Sequence, residues 1–170
     1  MDLKEKIRTI PDFPAEGIMF RDITTLLQDA DALKETVDSL YEQFKDKEVS
    51  KVVGIESRGF IFGVPLALRL GCGFVPVRKP GKLPAEVEKV EYALEYGSDC
   101  VEIHKDALMP GEKVLVVDDL LATGGTAEAT LKLVGKLGAD VLGFAFIIEL
   151  DALKGRSRLG DKKVFTIVHF

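Results

Sequence analysis

The segment Val114 to Thr126, VLVVDDLLATGGT, constrains the fold of this chain more than any other. Val114 to Val117 is an unbroken run of β-branched residues and leucine. Such a run is apolar on both of its faces, as a strand needs to be when helices cover a parallel sheet on either side. The strand is expected to end at Asp118-Asp119. The loop Ala122-Thr123-Gly124-Gly125-Thr126 follows, opening a helix over 125–137 that Gly138 closes at its C-terminal cap. Open parallel sheets bind their ligands at the carboxyl ends of strands.

The remaining periodicity fits that frame. Leu33, Val37, Leu40, Tyr41 and Phe44 form a helical stripe over 31–44, and helical spacing returns over 60–70. Short apolar strands are expected at 52–55 and 74–77, a long one at 141–150 and a final one at 164–168, with an extended ribbon or mobile flap over 89–103 around Tyr92, Leu94 and Tyr96. Strands alternating with helices imply an α/β fold with a central, mainly parallel sheet flanked by helices. At 170 residues, the chain 1–170 reads as one domain. Two segments break the alternation. Residues 11–25 are too rich in turn formers for a helix, and residues 80–97 are longer than most connections, which points to function.

Composition removes several classes of function. A net charge of −5 opposes a nucleic-acid surface, and no apolar run is long enough to cross a bilayer. MDLKEKIRTI lacks the apolar core of a signal peptide, and Cys72 and Cys100 have neither CxxC nor metal-ligand spacing. A cytoplasmic protein with two reduced thiols is expected. His104 and His169 have no partner identifiable in the sequence.

The chemistry gathers at the strand end. Backbone N–H groups of a glycine-rich loop at a helix start converge on an anion, and the helix dipole adds to the attraction. Thr123 and Thr126 add hydroxyl donors. Adjacent residues of an extended strand point to opposite sides, so Asp118 and Asp119 suit two separate acceptor roles, such as neighbouring hydroxyls of a sugar, directly or through a metal ion. A phosphate on one side and diol acceptors on the other describe a ribose 5-phosphate. Neither GxxxxGK[ST] nor GxGxxG is present. Glu56-Ser57-Arg58-Gly59 forms a second strand-to-helix turn able to meet an anion, and Arg78, Lys79 and Lys82 form a basic cluster.

VVDDLLATGGT resembles the phosphoribosyl-pyrophosphate (PRPP) motif of the type I phosphoribosyltransferases. With DFPAEGIMFRDIT, GIESRGFIFG, RKPGKLP and LEYG, the resemblance covers nearly the whole chain and is nearest to the adenine phosphoribosyltransferase family. That resemblance implies conversion of adenine and PRPP to AMP and pyrophosphate with Mg²⁺, bound mainly through PRPP and pyrophosphate. No direct protein ligand to the metal is implied. It further implies a small N-terminal hood over about 1–28, where Met19, Phe20 and Arg21 hold adenine, and a flexible flap over about 80–103. In the flap Glu95 handles a proton on adenine and Tyr96 covers the phosphates. Asp118, Asp119, Ala122 to Thr126, Glu56, Ser57, Arg58, Arg78, Lys79 and Lys82 would bind PRPP, Arg58 in a catalytic role, within a homodimer. Glu86, Glu88, Lys89 and Glu91 make the flap more charged than the family pattern. A 6-oxopurine phosphoribosyltransferase and a non-catalytic PRPP or purine sensor remain as alternatives.

Overall fold

A computed structural model describes residues 1–94 and 96–170. A short hairpin of β1 (Arg8–Ile10) and β2 (Phe20–Asp22), followed by the single turn α1 (Thr24–Leu27), builds the N-terminal hood. Asp22 secures it. Its carboxylate accepts from Arg8 Nε at 3.0 Å and from the Thr24 backbone N–H at 2.9 Å. The Arg8 guanidinium first, then Thr24, hold this carboxyl down at about 2. Helix α2 (Ala30–Phe44) starts where the Asp29 side chain accepts from the Asp31 and Ala32 N–H groups at 3.0 and 3.1 Å.

The main unit is β3 (Lys51–Ile55), α3 (Arg58–Leu70), β4 (Gly73–Val77), β7 (Lys113–Leu121), α4 (Gly125–Lys136), β8 (Asp140–Glu149) and β9 (Lys163–His169), with the ribbon β5 (Val87–Ala93) and β6 (Ser98–His104) inserted. The five main strands pair in parallel in the order β4-β3-β7-β8-β9. Side chains alternate between two cores. Val53, Val114, Val116, Phe144 and Phe146 pack with α4 residues such as Leu133 and Val134. Val52, Leu115, Val117, Ala145 and Ile147 pack with Phe62 and Leu66 of α3 and Leu40 of α2. Each of these strands is apolar on both faces because each face has its own helix layer.

Of the boundaries that differ from the sequence expectation, two bear on the crevice. Strand β7 does not stop at the acid pair but runs on to Leu121, because Leu120 and Leu121 still pair with Ile148 and Glu149 of the longer neighbour β8. Helix α3 begins two residues before the expected Phe60, at Arg58. The ribbon is an antiparallel hairpin whose body is docked rather than free: Val90, Val101 and Ile103 are buried in the core beside α4. Among the described residues no helix is long and apolar enough to cross a membrane.

Candidate active site

The order β4-β3-β7-β8-β9 reverses direction between β3 and β7. From β3 the chain crosses through α3 to one side of the sheet, and from β7 it crosses through α4 to the other. Such a reversal opens a crevice at the carboxyl ends of the two strands. Residues 56–59 lie on one side of it and residues 118–126 on the other. The two sides touch at Gly59, where a Cβ would stand 2.8 Å from the Val117 carbonyl oxygen, so only glycine lets α3 start this close to β7.

Alternation along β7 carries Asp119 toward α3. There Arg58 Nε donates to Asp119 Oδ2 at 2.5 Å. Asp119 is buried and the Arg58 side chain about half exposed, so a fixed acceptor holds a cation whose far edge remains open. The Asp119 bond, then its charge, push the Arg58 guanidinium still higher. Asp118 lies beside the 122–126 loop, and its Oδ1 accepts the Asp119 N–H at 2.8 Å. Removal from water, then the neighbouring Asp119 charge, drive the Asp118 carboxyl well above the ordinary carboxylate range. Arg58 is the side-chain partner of Asp119, whereas the bond to Asp118 comes from the Asp119 N–H.

The loop Ala122 to Thr126 encloses, with Asp118, Leu121 and Phe146, a cavity of about 90 Å³ at the start of α4. Gly124 caps the helix at φ 88°. Its outer side is closed by Gly155, in a short 3₁₀ segment over Gly155–Leu159. A Cβ on Gly124 would meet the Gly155 carbonyl oxygen at 2.5 Å, and one on Gly155 would meet the Ala122 carbonyl oxygen at 2.4 Å. Arg156 fixes that segment through two bonds to the buried Glu149, at 2.8 and 2.6 Å. Thr123 is exposed, and the Thr126 hydroxyl lies 3.0 Å from that of Tyr92.

The basic cluster is held by carboxylates of its own chain. Glu56 accepts from Arg78 at 2.9 Å and from the Lys79 backbone N–H at 2.8 Å, with Lys82 Nζ at 3.4 Å. Burial opposes ionisation of Glu56, yet the Lys79 N–H and Arg78 outweigh it and keep its carboxyl below the usual value. The Lys79 ammonium pairs with Asp99. Buried Glu102 accepts the Gly81 N–H at 2.9 Å and completes the shape of the turn. Glu56 is thereby turned toward this turn, immediately before Ser57 and Arg58.

In the hood, Phe20 packs edge-on against Phe13 with ring centroids 5.1 Å apart, and Met19 is half exposed beside them. The Arg21 guanidinium bonds Thr9 Oγ1 at 2.6 Å and lies 4.1 Å from the ring centroid of Phe170, so its side chain ties the hood hairpin to the C-terminal residue. Tyr96 is 87% exposed at the hairpin tip, and Glu95 lies outside the described residues. Away from the crevice, His169 contacts Asp151 and Thr166, both at 2.8 Å, and His104 Nε2 accepts the Ala85 N–H at 3.3 Å.

Sequence reasoning missed Tyr92, Asp99, Gly155 and the Glu149–Arg156 pair as parts of this region. Tyr92 was legible only as one apolar position of the ribbon. Asp99 lies in the same ribbon without a local mark of its own, and Gly155, Glu149 and Arg156 follow the loop by more than 20 residues, where no local pattern points back to it.

Residues 22–170 match the model of the phosphoribosyl transferase domain. A protein of Synechocystis sp. named adenine phosphoribosyltransferase is 61% identical over the whole of both chains. One of the same name from Clostridium botulinum is 58% identical over all of this chain and 99% of its own. The crystal structure of adenine phosphoribosyltransferase from Thermoanaerobacter pseudethanolicus superposes with a TM-score of 0.96 at 50% identity, covering 99% of this chain and 98% of that one. The enzyme from Saccharomyces cerevisiae, solved with an imino-altritol bisphosphate and adenine, gives a TM-score of 0.91 at 47% identity, covering 97% of this chain and 96% of that one. The chain matches these proteins end to end and belongs to the phosphoribosyl transferase domain family.

Proposed function

We propose that this chain transfers the phosphoribosyl group of PRPP to adenine, giving AMP and pyrophosphate in purine salvage. The observation that carries the reading is the placement of Asp118 and Asp119 between the 122–126 loop and Arg58, in a chain about 60% identical to adenine phosphoribosyltransferases.

In this reading the 5-phosphate enters the loop, where backbone N–H groups of Ala122 to Thr126 and the hydroxyls of Thr123 and Thr126 receive it. Asp118 and Asp119 accept from the ribose hydroxyls and favour positive charge on the ring. Arg58, Ser57 and the turn bearing Arg78, Lys79 and Lys82 face the pyrophosphate. As the bond from the anomeric carbon to the pyrophosphate oxygen lengthens, the pair of electrons leaves with pyrophosphate and the guanidinium of Arg58 opposes the growing charge. The adenine nitrogen then bonds to the same carbon and gives up its proton, with Glu95 in the flap as acceptor or orienting group. Phe20, next to Met19 and backed by Phe13, supplies an aromatic surface for the purine, while backbone groups of this stretch read its polar edge. Tyr96 closes over the phosphates.

Magnesium fits this donor set. Asp118 offers carboxylate oxygen at the crevice, whereas Asp119 is held by Arg58; no cage of protein ligands stands there among the described residues. The ion would ride mainly on phosphate oxygens, as hard cations do, and supply charge neutralisation to the diphosphate. Glu149, Asp151 and His169 also lie together, but Arg156 already neutralises Glu149.

A homodimer is part of the proposal. Ile61, Val64 and Leu68 leave an exposed apolar stripe along α3, on the face opposite Phe62 and Leu66. A cytoplasmic setting agrees with the free thiols of Cys72 and Cys100, both pushed upward by burial and so kept in the thiol form. The deciding assay offers PRPP and Mg²⁺ with adenine, hypoxanthine, guanine or xanthine in turn. AMP formation alone is the expected result; turnover only with a 6-oxopurine, or purine binding with no turnover at all, would refute it.

A further inference from the structure

Polar contacts link the two anion subsites near the tip of the hairpin, in two runs that meet at Lys79, one on its ammonium and one on its backbone N–H. The first begins at Thr126 in the phosphate loop, whose hydroxyl lies 3.0 Å from the Tyr92 hydroxyl. The Tyr92 hydroxyl lies 3.3 Å from Asp99 Oδ2, across the β5–β6 register that pairs Tyr92 with Asp99. The same Asp99 oxygen pairs with the Lys79 ammonium. Lys79 gives its backbone N–H to Glu56, the residue just before Ser57 and Arg58. The direct approach of Lys79 Nζ to Tyr92, at 3.5 Å, is too long to matter beside the ion pair. The Tyr92 ring also lies 3.3 Å from where a Cβ on Gly125 would stand, so the ring is seated against the start of α4 whatever its hydroxyl does.

Donor counting gives these contacts a direction. An ionised carboxylate only accepts, and Lys79 holds Asp99 below its usual range, so Asp99 is ionised at neutral pH. Tyr92 has one proton. With the phosphate loop empty, that proton goes to Asp99, the charged acceptor, and the Tyr92 oxygen accepts the Thr126 proton. A phosphate dianion in the loop is a stronger acceptor than a phenol oxygen and takes the Thr126 proton instead. Thr126 Oγ1 then becomes an acceptor for Tyr92, and Tyr92 divides its proton between Thr126 and Asp99. Asp99 is left leaning on Lys79, whose backbone is tied to the pyrophosphate side.

We infer that Tyr92 and Asp99 are positioning residues that couple occupancy of the 5-phosphate loop to the set of Lys79 and Glu56 at the pyrophosphate subsite. The inference rests on the assignment of the two subsites made above. Coupling of this kind is reciprocal, and because a firmer Asp99–Lys79 pair withholds the ammonium from pyrophosphate, each ligand weakens the other by the same factor.

Titration calorimetry with ribose 5-phosphate and magnesium pyrophosphate as the probes tests it. In the unaltered protein, saturating ribose 5-phosphate should weaken pyrophosphate by about 5-fold or more, the lower end of ordinary coupling between sites. In Tyr92→Phe, which keeps the ring and removes one hydroxyl, the factor should collapse to within about 2-fold of unity while each probe alone binds nearly as before. Asp99→Asn should also collapse the factor, although pyrophosphate alone then binds more tightly because the Lys79 ammonium is released, and the double variant should lose no further coupling. Full coupling in Tyr92→Phe, or none in the unaltered protein, overturns the relay alone. Failure of ribose 5-phosphate to bind at all overturns the subsite assignment and the relay with it.

Discussion

Arg58 Nε and Asp119 Oδ2 meet at 2.5 Å across the reversal of the sheet, joining the first residue of α3 to β7 two residues before that strand ends. The two residues are 61 positions apart, and each belongs to a different crossover unit. Their bond is what turns two separate strand ends into one crevice, with a cation on one wall and carboxylates on the other.

Arg58→Gln should therefore cost function far more than stability. Loss of a preorganised donor facing developing charge lowers kcat/KM by about 10²- to 10³-fold. Because Arg58 is about half exposed, the stability cost should be about 1 kcal/mol, a few degrees in Tm for a domain of this size. Steady-state kinetics beside a thermal melt checks both, and a rate within threefold of the unaltered enzyme would remove Arg58 from the chemistry.

Asp118→Asn should raise stability while lowering activity. An acid whose folded value lies above its unfolded value of 3.8 holds its proton longer in the native state. Native protein then binds more protons than unfolded protein, and stability falls as pH rises from about 4 through the raised value. The asparagine variant removes that slope, so its advantage should appear in melts at pH 8 and vanish at pH 4. An advantage that is the same at both pH values would refute the assignment of Asp118 as a desolvated acid.

Gly155→Ala should damage the phosphate loop from behind. The new methyl would stand 2.4 Å from the Ala122 carbonyl oxygen, which is backbone and cannot swing aside. Overpacking of this kind costs about 1–3 kcal/mol. The larger effect should be a raised KM for PRPP with the KM for adenine little changed, and equal changes in both would show general loosening instead.

Leu68→Glu should break the proposed dimer. Leu68 is 76% exposed at the end of the α3 stripe, so the isolated chain loses no core contact, whereas a paired interface would bury an uncompensated charge. Sedimentation velocity should show a shift from dimer to monomer. A dimer of unchanged stability would move the interface elsewhere.

Much of the fold was readable before any coordinates. The β-branched run of β7, the stripe of α2, and the glycine-threonine loop are local patterns, and local patterns survive in a linear sequence. The end of β7 was misplaced because its last two pairs are set by the length of β8, a neighbour distant in sequence. The alternation over 89–103 reads as an extended ribbon or mobile flap; that its Val90, Val101 and Ile103 are buried beside α4 is a contact that weak alternation does not reveal.

The sequence by itself determined the kind of site. A doubly buried strand followed by acids and a glycine-threonine loop carries its chemistry within 13 consecutive residues, because backbone direction and helix start are local properties. Only the tertiary structure decided which partner each charge keeps. Asp119 holds Arg58, Glu56 holds Arg78 and the Lys79 N–H, and Tyr92 sits between Thr126 and Asp99. Those choices depend on strand order and on which face each residue presents, and both are settled only when the helices have packed on the two sides of the sheet.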